Sequence, residues 1–513
     1  MKVSFLLFVS LFALSFGSKA TPNLTFDKVN SIYIRSSGPI LQGNEVKGYF
    51  FFYQTDKIDK KTRQYSLNIT DEFLNVVKEV KMVDNAKVSL LESSFDGQSL
   101  VFLFYNPEED ELTYKVYGLD GNERMNYSRP VDKKDKQMLG QALQLSQEGT
   151  ESQFIKPLQN KGFVSIIPLK DGKDYSWEMN FYGSGAKKQW SYAPEEGAKF
   201  STVAYLGNSD SIAFLEVLQR EKLLSKNNES HLLGINLFNG RKLFDVLLEQ
   251  DGYKFLPMNA IPIEGKSEFL VFGQYYDGED RVLADQSQGL FIMTVDQKGK
   301  AINKKYLSWT KELSKFVNIG SNGKVEDIGF LYCHKIIPVD DGGYVIIAEG
   351  YKKAASALGI ASAVLAQRYQ SVTKMVITDL VWLQVKPNFT LEKIKIYSKN
   401  KNSIEFGGTD VNSAASVAAF IKAYGGFDYS FTQKDDVNKG FVVGYVDYEK
   451  SDGNKGLVFN AISYFNKKVT TDKINLTTKG SRTYVYPAKP GNIMIMEYSK
   501  KQKTMDLRFE KLN

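Results

Sequence analysis

The apolar and polar residues follow a unit that recurs along the chain, a polar turn that leads into a short apolar strand. It is clearest in Pro338–Tyr351, where Asp340–Gly343 runs directly into the apolar stretch Tyr344–Ala348. Turns rich in aspartate and glycine, followed by β-branched and aromatic residues, predict β-strands. Eight such strands are predicted, at Tyr49–Tyr53, Leu100–Tyr105, Phe163–Ile167, Ile212–Leu218, Phe269–Tyr275, Tyr344–Ala348, Phe441–Val446 and Ile493–Tyr498.

Each of these strands is followed, after a connection of variable length, by a hairpin. In Leu290–Leu307, for example, two strands flank the turn Asp296–Gly299. Three or four strands per unit, repeated along the chain, predict an all-β fold: a single β-propeller of seven to eight blades, with eight favoured. The last unit has room for only three strands before Asn513, so a strand near Ser31–Arg35 is expected to complete it and close the ring.

The long connections fall at equivalent places in the predicted blades. They join the second strand to the third, or one blade to the next, and both kinds open on the same face of a propeller. The insertions at 351–378 and 399–437 contain alanine-rich segments that predict helices at Lys352–Gln370 and Val411–Tyr424. We therefore expect two helices to cap one side of this face, either as a binding surface or only as a cover.

The first residues have the pattern of an export signal. Lys2 precedes the apolar stretch Val3–Phe16, which is short for a membrane span, and Ser18 and Ala20 place small residues where a signal peptidase cleaves. Cleavage after Ala20 would leave 21–513 as a β-propeller-like domain with no transmembrane segment. The pattern predicts a protein that is secreted, or that lies in the periplasm or at the cell surface.

Composition argues against two classes of protein. The formal net charge is +7, but acidic and basic residues are interspersed, whereas nucleic-acid binding needs a basic stripe on one face. No nucleic-acid partner is therefore expected. The single cysteine, Cys333, excludes an intrachain disulfide, so the packed core has to stabilise the fold.

Residues suited to nucleophilic catalysis are scarce. The two histidines are His231, which begins a hairpin strand and is expected to have a surface or a packing role, and His334. Neighbours on a strand point to opposite faces, so Cys333 and His334 are not expected to form a dyad. Cys333 is predicted to lie in the core, while an inner-strand position would let His334 face the central channel. Trp309 is expected to pack in the core or at the rim, with ligand stacking as the alternative.

No metal or cofactor motif is present in the sequence. The acidic loops Asp277–Asp280 and Ser451–Asn454 lack the alternating ligands and distal glutamate of a calcium loop, so turns are predicted. No Cys/His cluster has zinc spacing, and no glycine-rich phosphate loop follows a strand and opens a helix. The sequence therefore predicts no cofactor and no metal site, and it leaves the catalytic residues, if any, unknown.

The stretch Asp340–Gly350, the leader Met1–Ala20 and the Lys/Asn/Tyr-rich composition resemble secreted propeller-like proteins of Bacteroidota, including families of unknown function. The resemblance covers most of residues 28–513 and depends on a loose repeat. It implies the fold and export, and it assigns no active residue. The chain lacks an evident C-terminal sorting domain, so a periplasmic destination stays open.

These observations support two hypotheses about function. The first is a non-catalytic ligand-binding, protein-binding or scaffold module, with a protein or glycan ligand on the insertion-bearing face. The alternative is a carbohydrate-active hydrolase or lyase whose carboxylates meet at the channel mouth, roughly 5–10 Å apart. The residues that line the central channel would distinguish the two.

Overall fold

The computed structural model describes residues 23–136, 154–171, 174–184, 187–194, 200–221, 228–355, 373–405, 413–451, 454–476 and 482–512. Their strands form eight antiparallel sheets of four or five strands, which are the eight blades of a β-propeller. Within a blade, consecutive strands pair, so each blade is a meander that runs from the inner strand to the rim. The predicted all-β, eight-bladed propeller is confirmed.

The first four blades and the strand that precedes them comprise β1 (Leu24–Phe26), β2 (Ser31–Gln42), β3 (Glu45–Lys57), β4 (Thr62–Asp71), β5 (Val76–Asn85), β6 (Ser89–Phe95), β7 (Ser99–Asn106), β8 (Glu111–Gly118), β9 (Glu123–Pro130), β10 (Ile155–Leu158), β11 (Gly162–Asp171), β12 (Asp174–Gly183), β13 (Lys188–Tyr192), β14 (Phe200–Asn208), β15 (Ile212–Arg220), β16 (Asn228–Asn236) and β17 (Lys242–Leu247).

The other four blades comprise β18 (Glu249–Gln250), β19 (Tyr253–Pro262), β20 (Phe269–Asp277), β21 (Gly289–Val295), β22 (Ala301–Ser308), β23 (Phe330–Pro338), β24 (Tyr344–Ala355), β25 (Thr373–Val385), β26 (Leu391–Tyr397), β27 (Asn402–Glu405), β28 (Tyr429–Asp435), β29 (Gly440–Ser451), β30 (Asn454–Phe465), β31 (Lys468–Asn475), β32 (Arg482–Pro487), β33 (Asn492–Ser499) and β34 (Thr504–Lys511). A 3₁₀ turn spans Leu313–Lys315, and helix α1 spans Ala414–Ala423.

All eight apolar strands predicted from the turn-and-strand unit are second strands of blades. The reason is that a second strand is buried on both faces. In β24, Ile346 and Ala348 pack against the fifth blade, while Val345 and Ile347 pack against the seventh. The turn before β24 also follows the prediction, because Gly342 adopts a positive φ of 78° and the Asp341 carboxylate accepts a hydrogen bond from the backbone N–H of Gly343 at 3.1 Å.

The ring is closed by a different strand from the one expected. β1 pairs with β34 in the register Leu24↔Leu507 to Phe26↔Met505 and becomes the rim strand of the eighth blade. The predicted closing strand, Ser31–Arg35, belongs instead to β2, the inner strand of the first blade. The chain thus passes from the last blade to the first within a few residues, which leaves the sheet of the eighth blade complete.

Hydrophobic contacts between neighbouring blades hold the ring together. Eight clusters of buried residues each join two successive blades, and the cluster around Phe26, Phe51 and Met494 joins the eighth blade to the first. A ninth cluster seats α1 on the sixth blade. Stability is therefore distributed around the circle, as the absence of disulfides requires.

The predicted helices are confirmed only in part. Val411–Tyr424 contains α1, which begins after its N-cap Ser413 and ends before Gly425 with a positive φ of 61°. The predicted helix Lys352–Gln370 is wrong at its start, because residues 352–355 continue β24 and pair with residues 373–376 of β25. Residues 356–370 lie outside the described part of the chain. One α-helix, rather than two, is thus seen in the described residues.

No helix within the described residues is both long enough and apolar enough to cross a membrane. The predicted leader, Met1–Ala20, lies outside those residues.

Candidate functional site

One face of the propeller carries the connections between second and third strands and those between successive blades; it is called the insertion face below. An open cleft lies on this face. Its volume is about 580 Å³, within the roughly 300–1,000 Å³ of ligand sites. Four parts of the chain form it: the β20–β21 connection, the connection that leads into β23 with the first residue of that strand, the outer part of β24, and the start of α1. Its polar lining includes Asp280, Asp285, Lys324, Lys352, Lys353 and Ser413.

Helix α1 is tied to the rest of the cleft at its first turn. The Ser413 hydroxyl accepts the backbone N–H of Ser416 at 3.1 Å, which caps the helix, and donates to the Leu283 carbonyl oxygen. The Ser416 hydroxyl donates to the same carbonyl at 2.9 Å. From below, the buried Tyr351 hydroxyl donates to the Ala414 carbonyl at 2.7 Å. The start of α1 therefore has a defined position over the fifth and sixth blades.

The β20–β21 connection is itself ordered by side-chain contacts. The Arg281 guanidinium donates to both carboxylate oxygens of Asp285, at 2.8 and 2.6 Å. The Asn228 amide of the fourth blade donates to the Val282 carbonyl at 2.7 Å. The following residue, Leu283, has a positive φ of 68°, a backbone strain that these contacts and α1 help to hold.

The cleft carries charges of both signs. Hydrogen bonds from Arg281 lower the pKa of Asp285 to about 2, so this carboxylate is ionised at any physiological pH. The Lys352 ammonium donates to the Asp327 carbonyl at 2.7 Å. Lys324 and Lys353 add two further cationic side chains to the lining, and Asp280 adds a second carboxylate. A ligand that carries complementary charges at several points would be recognised best.

A second space lies against α1; it is called the channel cavity below. Its volume is about 380 Å³. Inner-strand residues of the third to sixth blades line it, among them Lys156, Tyr205, Met258 and Tyr332, and α1 forms its roof. Inner strands surround the central channel of a propeller, so this space is part of that channel.

A buried network of charged residues fixes the long connection between the sixth and seventh blades. Glu349 continues the face of β24 that packs on the seventh blade, and its carboxylate accepts the backbone N–H groups of Asp428 and Tyr429 at 3.1 and 3.2 Å. The Lys399 ammonium lies 3.0 Å from Glu349 and also pairs with the Asp428 carboxylate. The side chains of Glu349 and Lys399 are both 0% exposed. Lys399 and Asp428 stand at the two ends of the connection that carries β27 and α1, so the network pins that connection at its base.

The network shifts the pKa values of its members in different directions. Burial raises the pKa of Asp428 to about 6, an effect that the nearby Glu349 carboxylate reinforces and Lys399 opposes. Burial would also raise the pKa of Glu349, but hydrogen bonding from His334 and the charge of Lys399 outweigh it and lower that pKa. The two carboxylates and one lysine therefore leave the network one negative charge in excess when both acids are ionised.

Both histidines lie within contact networks. His334 is the extra residue of a β-bulge in β23; its Nε2 lies 3.1 Å from Glu349, and its ring stacks on Tyr429 with 4.6 Å between centroids. His231 lies on β16, where its Nδ1 is 2.8 Å from the Asp245 carboxylate, whose hydrogen bond raises the pKa of the imidazole.

The remaining sequence candidates are also placed. Cys333 is buried in the core between the fifth and sixth blades, and burial raises the pKa of its thiol to about 12. Trp309 lies in the same core, with its indole N–H donating to the Ser287 carbonyl at 2.7 Å. Asp277–Asp280 forms a turn at the cleft, whereas Ser451–Asn454 is a hairpin tip of which residues 452–453 lie outside the described part. No three His, Cys, Asp or Glu side chains of the described chain converge as metal ligands would.

Sequence reasoning missed Glu216, Glu349, Lys399 and Asp428. For the two glutamates a local signal exists, because each is a single carboxylate within an otherwise apolar second strand. A buried charge in such a strand needs a partner, so its position already indicates a contact across the blade interface. Lys399 and Asp428 lie in a polar connection and carry no comparable signal.

With this geometry established, comparison with known sequences gives one family. The sequence profile described as "Family of unknown function (DUF6770)" matches residues 1–513. The chain belongs to this family. No curated protein sequence matches this DUF6770 chain.

Solved structures similar to the DUF6770 chain include several from unrelated proteins. A quinohemoprotein alcohol dehydrogenase from Pseudomonas putida HK5 has a TM-score of 0.42 and 10% identity, over 91% of this chain and 72% of its own. A hypothetical selenium-binding protein from Sulfolobus tokodaii has a TM-score of 0.38 and 9% identity, over 82% and 92%. The β-propeller domain of the Trilobed protease from Pyrococcus furiosus has a TM-score of 0.35 and 10% identity, over 88% and 97%. At such scores no activity transfers to the DUF6770 chain.

Proposed function

We propose that this DUF6770 protein is a non-catalytic binding module and that its ligand lies in the open cleft of the insertion face. The observation that carries the proposal is that separate connections of the fifth and sixth blades meet there and are tied together through Ser413, Ser416 and the Leu283 carbonyl. Loops held in place on a rigid scaffold are the usual location of binding sites.

The charges of the cleft favour a polypeptide segment as the ligand over an uncharged glycan. Lys324 and Lys353 can pair with acidic side chains, and Asp280 can pair with a basic one. A neutral glycan offers no charge that could interact with these side chains. Glycans nevertheless form the second arm of the experiment, because Phe330 adds aromatic surface to the same cleft.

The alternative, a hydrolase or lyase with paired carboxylates, receives less support from the described residues. In the open cleft, Asp285 is held ionised by Arg281, whereas a general acid of this class needs a raised pKa. In the channel cavity, Glu216 has a raised pKa, but no second Asp or Glu belongs to the described lining. Asp280 is the second carboxylate of the open cleft, so the cleft, and not the channel cavity, is where this alternative would have to place its pair.

Reversing the charge of two lysines that line the cleft is expected to weaken ligand binding. The double variant Lys324→Glu/Lys353→Glu is expected to weaken binding of an acidic peptide, selected from a peptide array, by roughly tenfold or more, since each lost charge pair at an interface costs on the order of 1 kcal/mol. Isothermal titration calorimetry measures the change. Lys300→Glu, in an exposed turn at the opposite face, is the matched control and is expected to bind as the wild type does.

Two results would contradict this function. One is the absence of saturable binding to any peptide or glycan on the arrays, and the other is equal affinity for the double variant and the wild type. Release of reducing sugar from an arrayed glycan by the wild-type protein would instead establish the enzymatic alternative.

We also propose that the chain is exported and cleaved after Ala20, as the leader and the resemblance to secreted Bacteroidota proteins indicate. Expressed in a Gram-negative host with its leader, the protein is expected in the periplasmic fraction with Thr21 as its first residue. Amino-terminal sequencing checks this. The variant Ala20→Phe should block cleavage after residue 20, because the signal peptidase requires a small residue there. Retention of Met1 in the wild-type protein would refute the proposal.

A further inference from the structure

The channel cavity contains a buried carboxyl group that the open cleft does not use. Glu216 lies on β15, and the residues of the same face, Ile212 and Phe214, pack into the core against the fifth blade. Glu216 is 4% exposed and lines the cavity. Among the described residues its one hydrogen bond comes from the Ser230 hydroxyl, at the long distance of 3.4 Å.

A second buried polar group lines the same cavity from the next blade. Gln274 on β20 is 9% exposed, and its side-chain carbonyl accepts a hydrogen bond from the Tyr276 hydroxyl at 3.1 Å. Within the described part of the chain, that is the one hydrogen bond of the Gln274 side chain, so its NH₂ group retains donors that the protein does not use. The Gln274 side chain lines the cavity, so these donors are accessible to a ligand there.

Apart from Lys422, the residues of α1 that line the cavity are alanines. Residues at positions i, i+3, i+4 and i+8 of α1, namely Ala415, Ala418, Ala419 and Ala423, face it. Leu206, Leu218 and Met258 add aliphatic surface from the fourth and fifth blades. The small side chains of the helix leave the space open, and the other side of α1 is buried through Val417 and Ile421 against the sixth blade.

From this arrangement we propose that the channel cavity is a second binding site, for a small and largely apolar molecule that presents an uncharged oxygen acceptor such as a carboxamide. The acceptor would take hydrogen bonds from the Glu216 carboxylic acid or the Gln274 amide, and the apolar body would lie against the alanines of α1.

The protonation state of Glu216 is consistent with a ligand that presents a hydrogen-bond acceptor. Burial raises the pKa of Glu216 to about 8, so at neutral pH its carboxyl is predominantly protonated and can donate. The basic side chains of the described cavity lining are Lys156 of β10 and Lys422 of α1. The Lys422 ammonium lies 5.4 Å from the centre of the Tyr332 ring. Two lysines and a neutral acid disfavour a cationic ligand.

The experiment uses the full mature chain and three carboxamides, hexanamide, cyclohexanecarboxamide and benzamide. Their matched controls are the amines of the same skeletons. Saturation-transfer NMR at neutral pH is expected to show saturable binding of at least one carboxamide and no saturable binding of its amine. Failure of all three carboxamides to bind, or equal binding of the amines, would overturn the proposal.

Variants then locate the site. Ala419→Phe fills the cavity from an exposed position of α1, so it is expected to abolish binding without unfolding the protein, whereas Ala419→Ser is expected to bind as the wild type does. Glu216→Leu or Gln274→Leu should weaken binding roughly tenfold, the value of one lost hydrogen bond to a buried group. Circular dichroism confirms that each variant is folded.

Undiminished binding in Ala419→Phe, or in both leucine variants, would place the ligand elsewhere and refute the proposal. The site does not depend on the open cleft, because Lys324→Glu/Lys353→Glu alters no residue that lines the cavity. That double variant is therefore expected to bind the carboxamide normally, and each of the two proposals can fail alone.

Discussion

Replacing Lys399 with methionine is expected to destabilise the protein by about 3–5 kcal/mol at neutral pH, the usual cost of removing one partner from a buried ion pair. The lysine ammonium is the cation shared by the carboxylates of Glu349 and Asp428. Without it, two acidic groups face each other in a buried space. Urea unfolding followed by tryptophan fluorescence measures the loss.

The double variant Lys399→Met/Asp428→Asn is the control for this interpretation. It removes one negative charge together with the positive one, so it is expected to recover at least half of the lost stability. In the single variant, stability should also rise as the pH falls, and the rise should begin above pH 6, because Asp428 has a pKa of about 6 in the wild type and loses with Lys399 the charge that lowers it. The sign follows because an acid whose folded-state pKa is raised binds more protons in the folded than in the unfolded state between about pH 4 and that raised pKa. An unchanged urea midpoint for Lys399→Met would contradict the argument.

This network also links the two ends of the chain segment that covers the channel. Lys399 and Asp428 flank β27 and α1, and Glu349 comes from the strand on which α1 is seated. Loss of Lys399 should therefore loosen α1 more than it loosens the blades. Hydrogen exchange is expected to increase first in residues 413–424, since local opening begins where fewest contacts remain.

Much of the fold could be predicted because a propeller repeats one pattern of burial. A second strand is covered by a blade on each side, so it appears in the sequence as an unbroken apolar run after a turn, as in Tyr344–Ala348. The closing strand was mispredicted because Leu24–Phe26 is only three residues long, and its partner β34 lies almost the full length of the chain away.

The helix predicted from Lys352 was wrong at its beginning for a different reason. Lys352–Ala355 has good helix formers, but pairing with residues 373–376 of β25 extends the hairpin beyond the blade and overrides that preference. Val411–Tyr424 was predicted correctly because the same preference there is supported by a cap at Ser413 and by burial of Val417 and Ile421.

The candidate sites were less accessible to sequence reasoning. Their residues come from different blades, and the ring brings them together: Lys399 meets Glu349 across 50 positions of the chain, and Glu216 and Gln274 line one cavity from neighbouring blades. What the sequence does show is the anomaly of a single carboxylate in an apolar strand. Only the fold shows that Glu349 meets a lysine while Glu216 meets a cavity.

Because Glu216 lines a cavity rather than pairing with a lysine, the second large predicted effect is a dependence of the unfolding free energy on pH. Because burial raises the pKa of Glu216 to about 8 from an ordinary 4.5, the folded state holds this proton more strongly than the unfolded state does. Its contribution to stability is complete below about pH 4.5 and is lost progressively as the pH rises to about 8. The total loss is about 5 kcal/mol, at 1.36 kcal/mol for each pKa unit.

Glu216→Gln should remove this dependence, since glutamine has nearly the same shape and no proton to lose. The variant is expected to be close to the wild type near pH 5, to exceed it increasingly up to about pH 8 and to keep a nearly constant advantage up to pH 9, with the difference in unfolding free energy measured by urea titration at each pH. Taking this difference cancels contributions from other groups such as Asp428. Glu264→Gln, in an exposed turn at the opposite face, serves as the matched control and should follow the wild-type curve. A constant difference between Glu216→Gln and the wild type across this range would show that the carboxyl is solvated, and the same result would leave the Gln274 amide as the proposed donor of the channel-cavity site.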